Sequence, residues 1–168
     1  MNYLKQYKIP FSGLNIGEHH YDFTINNEFL RHFNMAEISD TNIHLKFCLD
    51  KQLTMLVLNF EFKGIAEVAC DTCGDNFHLP LQHSQQLIVK LGDVPCEEID
   101  NVLVIHCNDH EIDISQYVYE FFSLALPMKK VHPEGLCNPE IISKLSLLNN
   151  QEKQIDSRWE KLADLKMN

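Results

Sequence analysis

Between Ile43 and Leu91, apolar and polar residues alternate with a period of two over most of the run. Ile43, Leu45, Phe47 and Leu49 interleave with His44, Lys46 and Cys48, the pattern of a strand with one buried face. Asp50-Lys51 reads as a turn, after which Leu56, Leu58, Phe60 and Phe62 line one face of the next strand. Lys63-Gly64 reads as a second tight turn, leading into a strand from Ile65 to Cys70. Phe77, Leu79 and Leu81 begin a further strand that continues to Leu91. These connections are too short for helical crossovers, so the predicted sheet is an antiparallel meander.

The flanks are less regular. An extended segment from Tyr7 to Phe11 and a turn between Gly13 and Gly17 precede an alternation at Tyr21, Phe23 and Ile25. Asn27 is placed to cap a short helix carrying Phe29, Leu30 and Phe33. After Leu91 comes a polar, acidic loop from Gly92 to Asn101, a strand from Val102 to Cys107 and a turn at Asn108-Asp109. There the period changes. Asp113 and Gln116 have capping-box spacing, and Val118, Phe121, Phe122, Ala125 and Leu126 form an apolar stripe that Pro127 ends. Asn138-Pro139 opens a second helix with Ile141, Ile142, Leu145 and Leu148. A third is expected after Asp156, with Trp159, Leu162 and Leu165 on one side. Strands come first and helices later. The predicted class is α+β: an antiparallel, mainly meander β-sheet or partial barrel with two to four short helices, mostly C-terminal.

Composition narrows the function classes. The 168 residues fit one domain, residues 1–168, ending in a helical tail at about 150–168. A hydrophobic content of 45% supplies a core and argues against disorder. Fourteen Lys and Arg against twenty-four Asp and Glu give a net charge of −10, which excludes a generally basic nucleic-acid-binding surface. The charge is uneven. Asp93 to Glu120 holds eight acidic residues and no Lys or Arg, whereas seven basic and six acidic residues follow Pro127. A contact with RNA or an acidic partner is therefore expected in the last quarter, through Lys129, Lys130, Arg158, Lys161 and Lys166, with Trp159 available for stacking. Anchoring a terminal helix to the core suits Trp159 better than stacking does. The N-terminus lacks the apolar core of a signal peptide, and no apolar run nears the ~20 residues that span a bilayer. The expectation is a cytoplasmic protein with no membrane contact, whose six cysteines are thiols or metal ligands rather than disulfides.

The sharpest chemical feature is Cys70-Asp71-Thr72-Cys73-Gly74 between two predicted strands. Two thiolates at this spacing on a tight turn can point at one Zn²⁺, and the glycine lets the turn close. A second half-site lies at His132 and Cys137, in a loop bent by Pro133 and Gly135. Together they make a Cys₃His set of Cys70, Cys73, His132 and Cys137. Four protein ligands leave no position for substrate, so the role of such a site is architectural. A redox or metal-transfer use of Cys70 and Cys73 competes with this reading. Dithiol chemistry, however, favours a cysteine at a helix N-terminus, and Asp71 and Asp75 would raise thiol pKa values here. Cys48, Cys96 and Cys107 have no partner at ligand spacing. His19, His20, His106 and His110 read as solvated or hydrogen-bonded, and Asp93 to Asp100 as a solvated loop without a calcium-loop pattern. No nucleophile elbow, phosphate loop, dinucleotide fingerprint or HExxH occurs, and the chain is not expected to be an enzyme.

In order, the chain shows a CxxC after an apolar strand, an acidic loop, Ile112-Asp113-Ile114 and Leu124-Ala125-Leu126-Pro127. His132, Cys137 and a closing Asp156-Ser157-Arg158-Trp159 come next. From about Tyr21 to the C-terminus this order resembles the YceD family, the large ribosomal RNA subunit accumulation proteins. Ser157 stands where proline is common, and many members have a cysteine in place of His132. The resemblance implies a bacterial cytoplasmic, non-enzymatic ribosome-biogenesis factor needed for normal levels of large-subunit rRNA. Its expected partners are a ribosomal protein, an assembly factor or the rRNA itself, with structural zinc and no small-molecule substrate. Without the resemblance, a generic protein-interaction domain fits the same residues.

Overall fold

A computed structural model describes residues 3–92 and 102–149. A 3₁₀ turn at Tyr3–Tyr7 leads into β1 (Lys8–Pro10), β2 (Gly17–Ile25) and α1 (Asn27–His32). The long strands β3 (Ile38–Lys51), β4 (Met55–Ala69) and β5 (Asn76–Gly92) come next, then β6 (Val102–His106) and β7 (Glu111–Asp113). Helices α2 (Ser115–Ala125) and α3 (Pro139–Asn149) end the described chain. The class is α+β. Strands β2 to β6 form one open sheet in sequence order, and β1 pairs with β7 in a small second sheet.

The meander forms because alternate side chains bury on one face. Leu45, Phe47 and Leu49 of β3 and Leu56, Leu58, Phe60 and Phe62 of β4 are almost wholly buried. Their neighbours His44, Lys46, Asn59 and Glu61 lie on the opposite face. Tyr7, Ile9, Phe29, Ile112, Val118, Phe121 and Phe122 join the same core from the 3₁₀ turn, the small sheet, α1 and α2. Ring contacts cross these layers, with Phe60 edge-on to Phe121 at 5.1 Å and Phe33 stacked on Tyr119 at 4.7 Å.

Five details depart from the sequence reading. Lys63-Gly64 is not a turn, because β4 runs through it paired with β3 on one side and β5 on the other. A Cβ on Gly64 would collide with the Asn42 carbonyl oxygen, so the glycine permits close backbone approach. The β3–β4 turn falls beyond Asp50-Lys51: both residues are in β3, and Gln52 N–H bonds the Met55 carbonyl at 2.9 Å. The last pairing, β5 with β6, is parallel, with Ile88 opposite Val102 and Gly92 opposite His106. The return covers only four residues, ~13 Å of strand, which the nine residues 93–101 are long enough to span.

The two remaining differences concern caps. The α1 cap is Asn26, whose Oδ1 accepts from the Glu28 and Phe29 amides, while Asn27 Oδ1 accepts from Thr41 N–H. Asp113 and Gln116 form no capping box. Asp113 Oδ1 accepts from the Ser115 amide and hydroxyl, and Gln116 pairs with Glu120 one turn on. The expected helix after Asp156 lies outside the described residues. No helix among the described residues is long and apolar enough to cross a membrane.

Candidate metal centre

The β4–β5 connection is built from Cys70 to Asp75. Gly74 N–H donates to the Cys70 carbonyl at 2.8 Å, and Cys70 N–H to that of Asp75 at 3.0 Å. Gly74 has φ +80°, a left-handed value that a side chain would strain. The knuckle therefore turns both thiols to one side. Thr72 N–H donates to Cys70 Sγ at 3.4 Å, a contact typical of a thiolate acceptor.

The facing half comes from the loop after α2. Leu126 leaves the helix in an extended conformation, and Pro127 prevents its continuation. Gly135, with φ +82°, and a Leu136 N–H bond to the Pro133 carbonyl fold the loop back. Three contacts then join loop to hairpin. Asp71 and Lys130 exchange bonds, Lys130 N–H to the Asp71 carboxylate at 2.6 Å and Asp71 N–H to the Lys130 carbonyl at 2.7 Å. Asn138 donates its side-chain amide to Asp75 at 3.1 Å, and its Oδ1 caps α3 through the Glu140 amide. The His132 ring packs against Phe77, centroids 4.7 Å apart, which fixes its orientation.

The result is a cluster in which Cys70, Cys73, His132 and Cys137 bring their ligand atoms within 4.8 Å of one another. Cys70 Sγ is 3.8 Å from Cys137 Sγ. His132 Nδ1 is 3.4 Å from Cys73 Sγ and 3.8 Å from Cys137 Sγ. Zn–S bonds of ~2.3 Å and Zn–N bonds of ~2.0 Å at tetrahedral angles put ligand atoms ~3.5–3.8 Å apart. The donor set and spacing therefore fit Zn²⁺. A disulfide would need sulfurs ~2.05 Å apart, and the three thiols of the cluster form none.

The electrostatics favour a thiolate. Burial raises the Cys70 thiol, but hydrogen bonds from the Cys73, His132 and Thr72 backbone and from the His132 ring outweigh it and bring the pKa down to about 5. Burial, then the neighbouring Cys70 and Cys73, push Cys137 up to about 11. The metal-free cluster thus concentrates negative charge on Cys70 and keeps the Cys137 thiol protonated until a cation displaces its proton.

All four sequence-predicted ligands are together. Lys129 is exposed, whereas the Lys130 ammonium is paired with Glu37 at 2.9 Å with its side chain only 18% exposed. Arg158, Trp159, Lys161 and Lys166 lie outside the described residues. Sequence reasoning missed Asp71 and Phe77 as supports of the site, since nothing in their spacing marks a contact with a loop about 60 residues away.

A family model for the large ribosomal RNA subunit accumulation protein YceD matches residues 58–166. The chain belongs to the YceD family. The YceD match covers well over half of the sequence, begins inside β4, and includes the hairpin, α2, the His132–Cys137 loop and α3. No curated protein and no solved structure matches the chain.

Proposed function

We propose that this YceD-family chain is a non-enzymatic ribosome-biogenesis factor that supports accumulation of large-subunit rRNA, using a zinc-pinned scaffold. The observation that carries the scaffold is the convergence of Cys70, Cys73, His132 and Cys137 at tetrahedral spacing. The family description supplies the link to rRNA. When bound, Zn²⁺ would supply a crosslink between the β4–β5 hairpin and the loop that carries α3. The chain's own residues do the rest. Asp71, Asn138 and Phe77 set the loop against the hairpin, and Pro139 starts α3 immediately beyond the last ligand.

The surface presented there is apolar. Leu136, Ile142, Leu145, Leu147 and Leu148 are all exposed, the first at 67% and Leu147 at 70%. With a net charge of −10 and Lys130 already paired, a ribosomal protein or assembly factor fits this surface at least as well as rRNA. The place of action is the cytoplasm.

Depletion followed by subunit sedimentation tests the function: large subunits fall while small subunits are spared, and an unchanged profile removes the proposal. Complementation with Cys73→Ser or Cys137→Ser tests the scaffold. These variants lose the bound zinc, present at about one per chain in the wild type at this site, and fail to restore large subunits.

A further inference from the structure

A second group of metal-binding side chains stands apart from the Cys₃His cluster. On β2, Glu18 and His20 are two residues apart and share a face; on β3, Cys48 and Asp50 do the same. The antiparallel register sets His20 opposite Cys48 and Glu18 opposite Asp50. Side chains directly opposite on one face have Cβ atoms ~4.5–5.5 Å apart, so the sheet itself fixes the spacing. The Glu18 carboxylate, the His20 ring nitrogen and the Cys48 sulfur all lie within 4.8 Å of one another, with Glu18 Oε2 3.6 Å from His20 Nε2.

From this geometry we propose that Glu18, His20 and Cys48 form an open, three-ligand site for a borderline divalent cation, Zn²⁺ first among them. The donor set selects the cation. Thiolate and imidazole disfavour Mg²⁺ and Ca²⁺, which take oxygen ligands, and suit Zn²⁺ and its analogue Co²⁺. Tetrahedral coordination needs ligand atoms ~3.3–3.6 Å apart, a closure within reach of side-chain rotation because Glu18 and His20 are about two-thirds exposed. The surrounding charge attracts a cation. Asp50 faces Glu18, and Asp22 and Glu61 flank Lys46 in register on either side, so one ammonium stands among four carboxylates. His19 points to the other face and bonds the Asn15 carbonyl, so it supplies no ligand.

The two sites differ in kind. The Cys₃His set closes the coordination sphere with protein, whereas three ligands, the exposed Glu18 and His20 and the half-buried Cys48, leave one position to water, the arrangement of an exchangeable site. They are also independent. Cys48 pairs with Asn59 on β4, and Cys70 lies just past the end of that strand eleven residues on, about 35 Å along it.

Anaerobic cobalt titration into the full-length chain carrying one equivalent of zinc, which the closed Cys₃His set takes first, tests the site. One further Co²⁺ per chain is expected to bind, with thiolate-to-cobalt charge-transfer absorption that Cys48→Ser abolishes. His20→Ala and Glu18→Gln, at exposed positions that leave the core untouched, should each weaken binding roughly tenfold or more. Failure of the one-zinc wild type to bind Co²⁺, charge transfer that persists in Cys48→Ser, or unchanged affinity in His20→Ala would each overturn the proposal. The outcome is separable from the Cys₃His reading, which predicts no charge-transfer change in any of these three variants.

Discussion

Asp71 and Lys130 hold each other by two hydrogen bonds, each backbone amide serving the other residue, across 59 positions of sequence. Neither bond involves a metal ligand. The clamp therefore sets the loop beside the hairpin before any ion arrives, as supporting residues around metal sites commonly do. Removing it separates preorganisation from coordination. Asp71→Ala should lower stability by about 1 kcal/mol and weaken zinc retention ~10–100-fold, while Asp71→Asn, which keeps an oxygen acceptor, should lose less of both. Chemical denaturation and competition with a chelator measure the two quantities.

Cys70 gives the metal-free protein an acid-sensitive step. Its thiol titrates near pH ~8.5 when unfolded and at about 5 when folded. A depressed pKa stabilises the fold above the unfolded value, and that stabilisation disappears as pH falls from ~8.5 through about 5. Cys137 shifts the opposite way, so its contribution is complete below ~8.5 and is lost as pH rises towards about 11. Denaturation of chelator-treated protein between pH 5 and 8.5 should show stability rising with pH, and Cys70→Ser should flatten that limb.

Tyr7 is wholly buried, and its hydroxyl has no hydrogen-bond partner among the described residues. Burial raises its pKa well above the usual phenol value. A raised pKa contributes stability below pH ~10 that is lost as pH increases beyond it. Tyr7→Phe should therefore match or exceed the wild type by up to about 1 kcal/mol at neutral pH and reduce the alkaline loss. Thermal melting at pH 7 and above pH 10 distinguishes these outcomes.

Gly64→Ala inserts a methyl group against backbone rather than a movable side chain, since the new Cβ would meet the Asn42 carbonyl and the Ile43 Cα. The expected loss is about 1–3 kcal/mol, read as a lower denaturant midpoint. If Lys63-Gly64 were a surface turn, the same substitution would cost far less.

That contrast shows what the pattern of residues could convey. The even-numbered apolar series Leu56, Leu58, Phe60, Phe62 continues in phase to Ala66 and Val68, all buried. A turn at Gly64 would have been free to reset that phase, so the strand's continuity was legible although the glycine suggested otherwise. The meander and the grouping of Cys70, Cys73, His132 and Cys137 were legible from periodicity and residue type. The three-residue strands β1 and β7 were too short to show a period, and the parallel pairing of β6 depends on a stagger that composition does not encode. The Asp71–Lys130 clamp and the His20–Cys48 rung depend on contacts between segments distant in sequence, which appear only once the chain is folded.

The family match starts at residue 58, yet the segments before it complete the sheet and core built by the residues beyond it. Strand β3 pairs along nearly the whole of β4, β1 pairs with β7, and the Tyr7 carbonyl receives the Ile114 amide where α2 begins. A polypeptide cut down to 58–166 would bare a long ladder of unsatisfied amides and a row of greasy side chains from Leu58 onward. Such a fragment should precipitate or self-associate rather than behave as a smaller version of the whole, so minimal active pieces will have to retain the N-terminal third.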